Sequence, residues 1–195
     1  MTARVLVGLG VWLGLALVVG ASGALARVGF PFPQVVLVGL TVTLLVLYRR
    51  WPSLRALAST VDVRALLVIH LTRFVGIYFL ILYGRGALPY AFAVPYGWGD
   101  IVVAAAAVLV GLLAPRRGAA GWWVYFLWNL AGLVDIVMVV VTAARLGMTE
   151  PGSMRALTVL PLSLLPTFVV PLIIASHVVI WTRLEASRRS AYRRF

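Results

Sequence analysis

Residues 65–83 read Ala-Leu-Leu-Val-Ile-His-Leu-Thr-Arg-Phe-Val-Gly-Ile-Tyr-Phe-Leu-Ile-Leu-Tyr, an apolar stretch interrupted by His70, Thr72 and Arg73. A helix of about 20 apolar residues crosses a hydrocarbon core of ~30 Å. A charge at that depth costs at least ~2.5 kcal/mol even on the most lenient insertion scale, so such groups face a partner, a cavity or a ligand. The stretch therefore predicts a transmembrane helix whose ionisable side chains point into the protein.

The whole chain has the composition of a membrane protein. Of its 195 residues, 63% are hydrophobic and 11% are charged, and the mean hydropathy is +1.06. Soluble domains carry about 25% charged residues. Cysteine is absent, which excludes disulfides, iron–sulfur clusters and thiolate zinc sites. All 17 basic residues are arginine, so the chain has no lysine on which a retinal Schiff base could form.

Six apolar runs approach the length that a membrane crossing requires. They are about Val5–Leu25, Pro33–Tyr48, Ala65–Tyr83, Asp100–Leu113, Trp122–Ala144 and Leu157–Trp181. The sequence thus predicts an all-α integral membrane bundle of about six transmembrane helices, forming a single transmembrane domain over residues 1–195. In the sixth run, Pro161, Pro166 and Pro171 each remove a backbone donor, which predicts a kinked last helix.

The arginines are distributed unequally between the two membrane faces. With six spans, one face carries Arg4, Arg49, Arg50, Arg55, Arg64, Arg116, Arg117, Arg183, Arg188, Arg189, Arg193 and Arg194, and the other carries Arg27, Arg85, Arg145 and Arg155. Because positive residues stay on the cytoplasmic side, both termini are predicted to be cytoplasmic, in a bacterial inner membrane.

Residues 182–195 form a basic cytoplasmic tail. The simpler interpretation is that its arginines are a topology signal. The more specific interpretation is that they bind anionic lipids or an acidic partner. The basic residues are spread over membrane loops and are not gathered on a soluble domain, so the pattern does not indicate nucleic-acid binding.

Residues 84–99 are too rich in glycine and proline for a helix and too apolar for an ordinary solvated loop. We expect an ordered lid in the membrane interface, anchored by Tyr90, Phe92, Tyr96 and Trp98, with Asp100 as the N-cap of the fourth helix. A re-entrant element lining a pore is the alternative.

Arg73 and Asp135 both fall near the centre of their predicted helices, which predicts a buried ion pair. Asn129 and Trp128 are its expected hydrogen-bonding neighbours. Such a pair is either a proton or ion relay or a latch that fixes helix packing. The remaining acids, among them Asp100, are assigned to other depths, so no paired carboxylates are expected.

His70 and His177 are the only histidines in the chain, and both are predicted to lie in the inner leaflet. Two imidazoles that face each other from two helices can supply the axial ligands of a b-type haem, with Arg73 beside a propionate. The alternatives are a histidine that bonds to a neighbouring helix, and a quinone or pigment site.

The prolines of the sixth run also suggest transport, because broken helices with free backbone carbonyls build substrate sites near mid-membrane. Asn129, Asp135 and Thr167 are the residues that we assign to such a role.

Residues 79–100, Phe-Leu-Ile-Leu-Tyr-Gly-Arg-Gly-Ala-Leu-Pro-Tyr-Ala-Phe-Ala-Val-Pro-Tyr-Gly-Trp-Gly-Asp, resemble a group of small, uncharacterised bacterial multi-pass membrane proteins. This resemblance implies no activity. No hydrolytic or group-transfer motif is present, which argues against an enzyme. The sequence therefore predicts a binding or accessory membrane subunit that holds one haem b for electron transfer. The alternatives are a small-solute or proton-coupled transporter, and an assembly subunit that contacts other membrane subunits without a cofactor.

Overall fold

The computed structural model describes residues 2–115, 118–150 and 152–192, and within these ranges it contains helices and turns without a strand. The α-helices are α1 (Thr2–Ala21), α2 (Ala24–Val28), α3 (Phe32–Arg50), α4 (Pro52–Thr60), α5 (Val63–Val68), α6 (Val75–Gly84), α7 (Tyr90–Leu113), α8 (Gly118–Thr149) and α9 (Val170–Tyr192). Two 3₁₀ segments cover Ile69–Phe74 and Arg155–Thr158, and a π-helical turn, Leu165–Val169, leads into α9.

Six stretches of the described chain are helical, long and apolar enough to cross a membrane. In order, the first to sixth spans are Ala3–Ala21, Phe32–Arg50, Val63–Gly84, Tyr90–Leu113, Gly118–Thr149 and Leu165–Arg189. The prediction of an all-α bundle with six spans is confirmed, and the chain is a multi-pass membrane protein. Its helical backbone satisfies its own hydrogen bonds, as the hydrocarbon region demands.

The third to sixth spans form the centre of the bundle, and the first span lies at its edge. The buried share is 44% for the sixth span and 11% for the first. The first span attaches to the π-helical turn, where Trp12 Nε1 donates to the Thr167 carbonyl at 2.9 Å and the Trp12 ring packs edge-on against Phe168.

The predicted lid over residues 84–99 is wrong in its main part, because the fourth span is already helical from Tyr90. Asp100 is consequently a buried residue in the middle of a helix and not an N-cap. The glycines that argued against a helix are tolerated because Gly97 and Gly99 lie in close contact with neighbouring spans. Tertiary packing there overrides a weak intrinsic propensity.

The ends of two other spans also differ from the sequence prediction. Gly23, with φ of 67°, separates α1 from α2, so the first long helix ends before Leu25. The sixth span begins at Leu165, after a bend and turns over residues 159–163, and its helix continues to Tyr192 through most of the predicted tail. The kink and the orientation of the termini stay predictions. Arg116, Arg117, Arg193 and Arg194 lie outside the described residues.

Candidate functional site

Arg73 lies at the middle of the third span and is 1% exposed. Its Nε donates to Asp100 Oδ1 at 2.7 Å, and its Nη1 donates to the Gly132 carbonyl at 2.9 Å. Its Nη2 forms an ion pair with Asp135 Oδ2. The structure therefore brings the predicted partners Arg73 and Asp135 together, and it adds Asp100, which sequence reasoning had assigned to the membrane surface.

The 3₁₀ segment within the third span directs His70 and Arg73 to the same side. In a 3₁₀ helix, residues i and i+3 are eclipsed, so these two side chains lie one above the other. They are the two buried residues of Ile69–Phe74. A short 3₁₀ stretch inside a longer helix often marks a functional hinge.

A glycine contact sets the distance between the third and fourth spans. A Cβ placed on Gly97 would lie 2.9 Å from the carbonyl oxygen of Gly76, so the two backbones touch. Gly76 follows Arg73 by three residues and Gly97 precedes Asp100 by three, so the contact lies about one helical turn from the ion pair. Small residues permit such close approach of membrane helices.

Gly99 permits a similarly close approach of the fifth span. The Asp135 carboxylate occupies the space that a side chain at position 99 would fill. Asp135 can reach Arg73 because position 99 has no Cβ.

The charged cluster Arg73–Asp100–Asp135 contains two carboxylates and one guanidinium. The Asp100 side chain is 4% exposed and that of Asp135 is 21% exposed. With both acids ionised, the cluster carries a net charge of about −1, and an uncompensated charge in a low-dielectric interior is very costly.

His70 and His177 lie in direct contact, with ring centroids 4.5 Å apart, and both are 0% exposed. Ser176 has a single hydroxyl hydrogen, which it donates to the Ile173 carbonyl at 2.8 Å. His70 Nε2 must therefore be the donor in its 3.0 Å bond to Ser176 Oγ. This bond leaves Nδ1 of a neutral His70 with a free lone pair.

Asn129 fixes the second histidine from the fifth span. Its Oδ1 accepts from His177 Nδ1 at 2.9 Å, and its Nδ2 donates to the His177 carbonyl at 3.2 Å. His177 Nε2 is then the unprotonated nitrogen. Neither this atom nor His70 Nδ1 has a hydrogen-bond partner among the described residues, although both are buried. Such orphaned polar atoms are rare in native structures and call for an explanation.

Gly132 joins the histidine pair to the charged cluster. Its carbonyl accepts from Arg73, and a Cβ on it would lie 2.8 Å from His177 Cε1. The expected separation of the two groups by depth is therefore wrong. The helix that contains the sixth span extends from Leu165 to Arg189, and His177 lies near its middle. We call the seven side chains of this region the intramembrane polar cluster: His70, Arg73, Asp100, Asn129, Asp135, Ser176 and His177.

A b-type haem does not fit the histidine pair as it is packed. Axial ligation places an iron and its macrocycle between two imidazoles, whereas these rings touch each other, and Trp128 lies edge-on at 4.8 Å from the His70 ring. Haem binding stays a prediction, and it would require the helices to separate.

Trp128 makes a different hydrogen bond from the one expected, and the transport role assigned to Thr167 stays a prediction. Trp128 Nε1 donates to the Val103 carbonyl at 3.2 Å. Thr167 lies in the π-helical turn, and its hydroxyl donates to the Ser163 carbonyl at 2.7 Å. The Thr167 carbonyl accepts the hydrogen bond from Trp12 Nε1.

A small cavity of about 20 Å³ adjoins the charged cluster. Its wall includes Arg73 and Asp100 of the charged cluster, together with Leu165 and Val169 of the π-helical turn. A space of this size holds about one water molecule. The 3₁₀ segment and the π-helical turn, the two irregular parts of the spans, both contribute to its wall.

Sequence reasoning missed Asp100, Ser176 and the Gly132 carbonyl. Asp100 could have been found if Pro89 had been taken as the helix start, because it would then fall in the middle of an apolar helix. Ser176 and Gly132 carry no comparable signal.

Six spans around a buried polar cluster define a multi-pass membrane protein with an intramembrane ionisable site. The chain belongs to the family described as "Domain of unknown function (DUF8737)", which it matches over residues 30–185. The match includes every residue of the intramembrane polar cluster and begins after the first span. No curated protein and no solved structure matches the chain.

Proposed function

We propose that this protein is a proton-coupled transporter of small solutes, and that the intramembrane polar cluster is its proton-binding site. One observation carries the proposal: two carboxylates, Asp100 and Asp135, share one buried guanidinium, that of Arg73, at mid-span. Ionisable residues at this depth are typical of proton relays and substrate pathways.

Charge balance supports a bound proton. A guanidinium neutralises one carboxylate, and the second requires a proton or a cation if the cluster is to be neutral in a low-dielectric interior. Asp135 is the more exposed of the two acids, so we assign it the exchange of the proton with its surroundings. Asp100 holds the guanidinium in place.

The histidine pair extends the path for the proton. His70 Nδ1 and His177 Nε2 offer two buried lone pairs in touching rings, and an imidazole is the side chain best suited to accept and release a proton near neutral pH. Gly132 connects the pair to Arg73. The 3₁₀ segment and the π-helical turn are the elements that we expect to rearrange between two access states, since irregular helical turns are common at functional sites.

The proposal is tested in liposomes that contain the purified protein and a pH-sensitive dye. A panel of small solutes is added under an imposed pH gradient, with potassium and valinomycin to compensate charge. We expect solute-induced proton movement with the unmodified protein, and its loss in Asp135→Asn and Asp100→Asn.

Asp62→Asn is the matched control. Asp62 is the exposed N-cap of α5, where its Oδ1 accepts from the Arg64 N–H at 2.9 Å, and asparagine caps helices about as well. Proton movement that is absent in the unmodified protein, or that survives in both cluster variants, would overturn the proposal.

Haem-dependent electron transfer is the other prediction to be decided. An absorbance spectrum of the protein purified with haem present tests it directly. A reducible haem band that disappears in both His70→Ala and His177→Ala would replace the transport proposal with an electron-transfer subunit. Location in a bacterial inner membrane, with both termini cytoplasmic, belongs to the same proposal and rests on the distribution of arginines.

A further inference from the structure

A cleft of about 1000 Å³ opens at one end of the bundle, where the third and fifth spans begin and the fourth and sixth spans end. Its wall combines cationic and aromatic side chains. They include Arg64, Arg183, Arg188, Trp122, Trp123 and Tyr125. We call this region the arginine cleft. It is separate from the intramembrane polar cluster, which lies at mid-span.

Backbone carbonyls hold two of the arginines in place. Arg64 Nη2 donates to the Ala114 carbonyl at 3.1 Å. Arg183 donates to the Val61 carbonyl and, through Nη2, to the Ser59 carbonyl at 3.3 Å. These contacts neutralise no charge, so they orient the guanidinium groups while each keeps its full positive charge.

The third arginine lies over an aromatic ring. Arg188 Cζ is 5.5 Å from the centre of the Trp122 ring, a distance at which the ring attracts a cation. The indole is itself fixed, because Trp122 Nε1 donates to the Leu184 carbonyl at 3.0 Å and its ring stacks on Phe126.

The arginine cleft has an excess of positive charge and an unused donor. Asp62 is the only acid in its described lining, against three arginines. Arg64 Nε is buried and has no hydrogen-bond partner among the described residues. The described lining therefore carries more positive than negative charge, which favours an anionic ligand.

We propose that the arginine cleft binds the phosphate of an anionic phospholipid headgroup. Guanidinium groups match the geometry of phosphate oxygens, and basic pockets between transmembrane helices bind such headgroups. Tryptophan is enriched at the level of the headgroups. The exposed Trp123 ring lies at the cleft, where the acyl chains of a bound lipid would extend out of the cleft.

The experiment compares lipid binding by native mass spectrometry on the protein purified in a mild detergent. The probes are phosphatidylglycerol, the zwitterionic phosphatidylcholine, and inorganic phosphate. We expect one tightly held phosphatidylglycerol per chain, with binding weakened about tenfold in Arg64→Gln and in Arg183→Gln, since a hydrogen bond to a charged group is lost in each.

Arg55→Gln is the control variant, because Arg55 is exposed, belongs to α4 and does not line the cleft. Equal loss of binding in Arg55→Gln would reduce the effect to general surface charge and overturn the proposal. Phosphatidylcholine that binds as tightly as phosphatidylglycerol would also overturn the proposal. So would inorganic phosphate that fills the site by itself, because the ligand would then be a soluble phosphate compound. Arg188→Gln provides a third variant if one of the others does not fold. The proposal stands independently of proton transport.

Discussion

Gly97 touches Gly76 across the boundary between the third and fourth spans, at a distance that leaves no room for a methyl group on either residue. Through this contact the backbone brings Arg73 and Asp100 within 2.7 Å of each other. The ion pair therefore depends on two residues that have no side chain.

Gly97→Ala tests this dependence. The new Cβ would lie 2.9 Å from the Gly76 carbonyl oxygen, and forced overpacking typically costs about 1–3 kcal/mol. We expect a lower free energy of unfolding in detergent and a loss of proton movement. Gly39→Ala is the control, because the space around a Cβ at Gly39 is open; a similar loss there would show that the effect is not specific to the contact.

Arg73→Met should destabilise the protein strongly. It leaves Asp100 and Asp135 without their cation, and breaking a buried ion pair costs about 3–5 kcal/mol. The triple variant Arg73→Met, Asp100→Asn, Asp135→Asn removes the uncompensated charges, so part of the stability should return. Unfolding titrations of the single and triple variants measure the difference, and a triple variant no more stable than Arg73→Met would contradict the charge argument.

Asn129→Leu should loosen the histidine pair. The change removes both hydrogen bonds to His177, and each buried group left unsatisfied costs about 1–3 kcal/mol. Thermal unfolding reports the loss. Gln34→Leu is the matched control, because Gln34 Oε1 is buried without a partner in the described structure. We expect that control to be neutral or slightly stabilising.

Trp12→Phe should weaken the attachment of the first span alone. It deletes the hydrogen bond from Trp12 Nε1 to the Thr167 carbonyl, for an expected loss of about 1 kcal/mol. Limited proteolysis should then release residues before position 30 sooner, while the remaining bundle keeps its unfolding temperature. Trp51→Phe is the control, because the Trp51 ring is exposed. It should change neither the rate of proteolysis nor the unfolding temperature.

The orientation can be measured directly because the chain contains no cysteine. Single cysteines at Ser53 and Ala87, both exposed and on opposite ends of the third span, are labelled with a membrane-impermeant maleimide in intact cells. We expect Ala87→Cys to react and Ser53→Cys to react after lysis. The reverse pattern would place the termini outside.

Sequence by itself determined the six spans, because the ability to cross a membrane is a local property of length and hydropathy. It also singled out His70, Arg73, Asp135 and His177, because ionisable groups in apolar stretches are costly wherever they occur. The start of the fourth span escaped it, since Gly97 and Gly99 are unfavourable in a helix until neighbouring spans pack against them.

Tertiary structure alone decided that Asp100 joins the predicted pair of Arg73 and Asp135, and that the histidine pair lies beside them. Asp100 and Asp135 can both reach Arg73 because the helices approach closely, and Gly76, Gly97 and Gly99 permit that approach. The contact between the histidine pair and the charged cluster likewise depends on Gly132, which packs against His177 and accepts a hydrogen bond from Arg73. Depth along a helix can be estimated from sequence, whereas the rotation and spacing of helices arise from packing over the whole bundle.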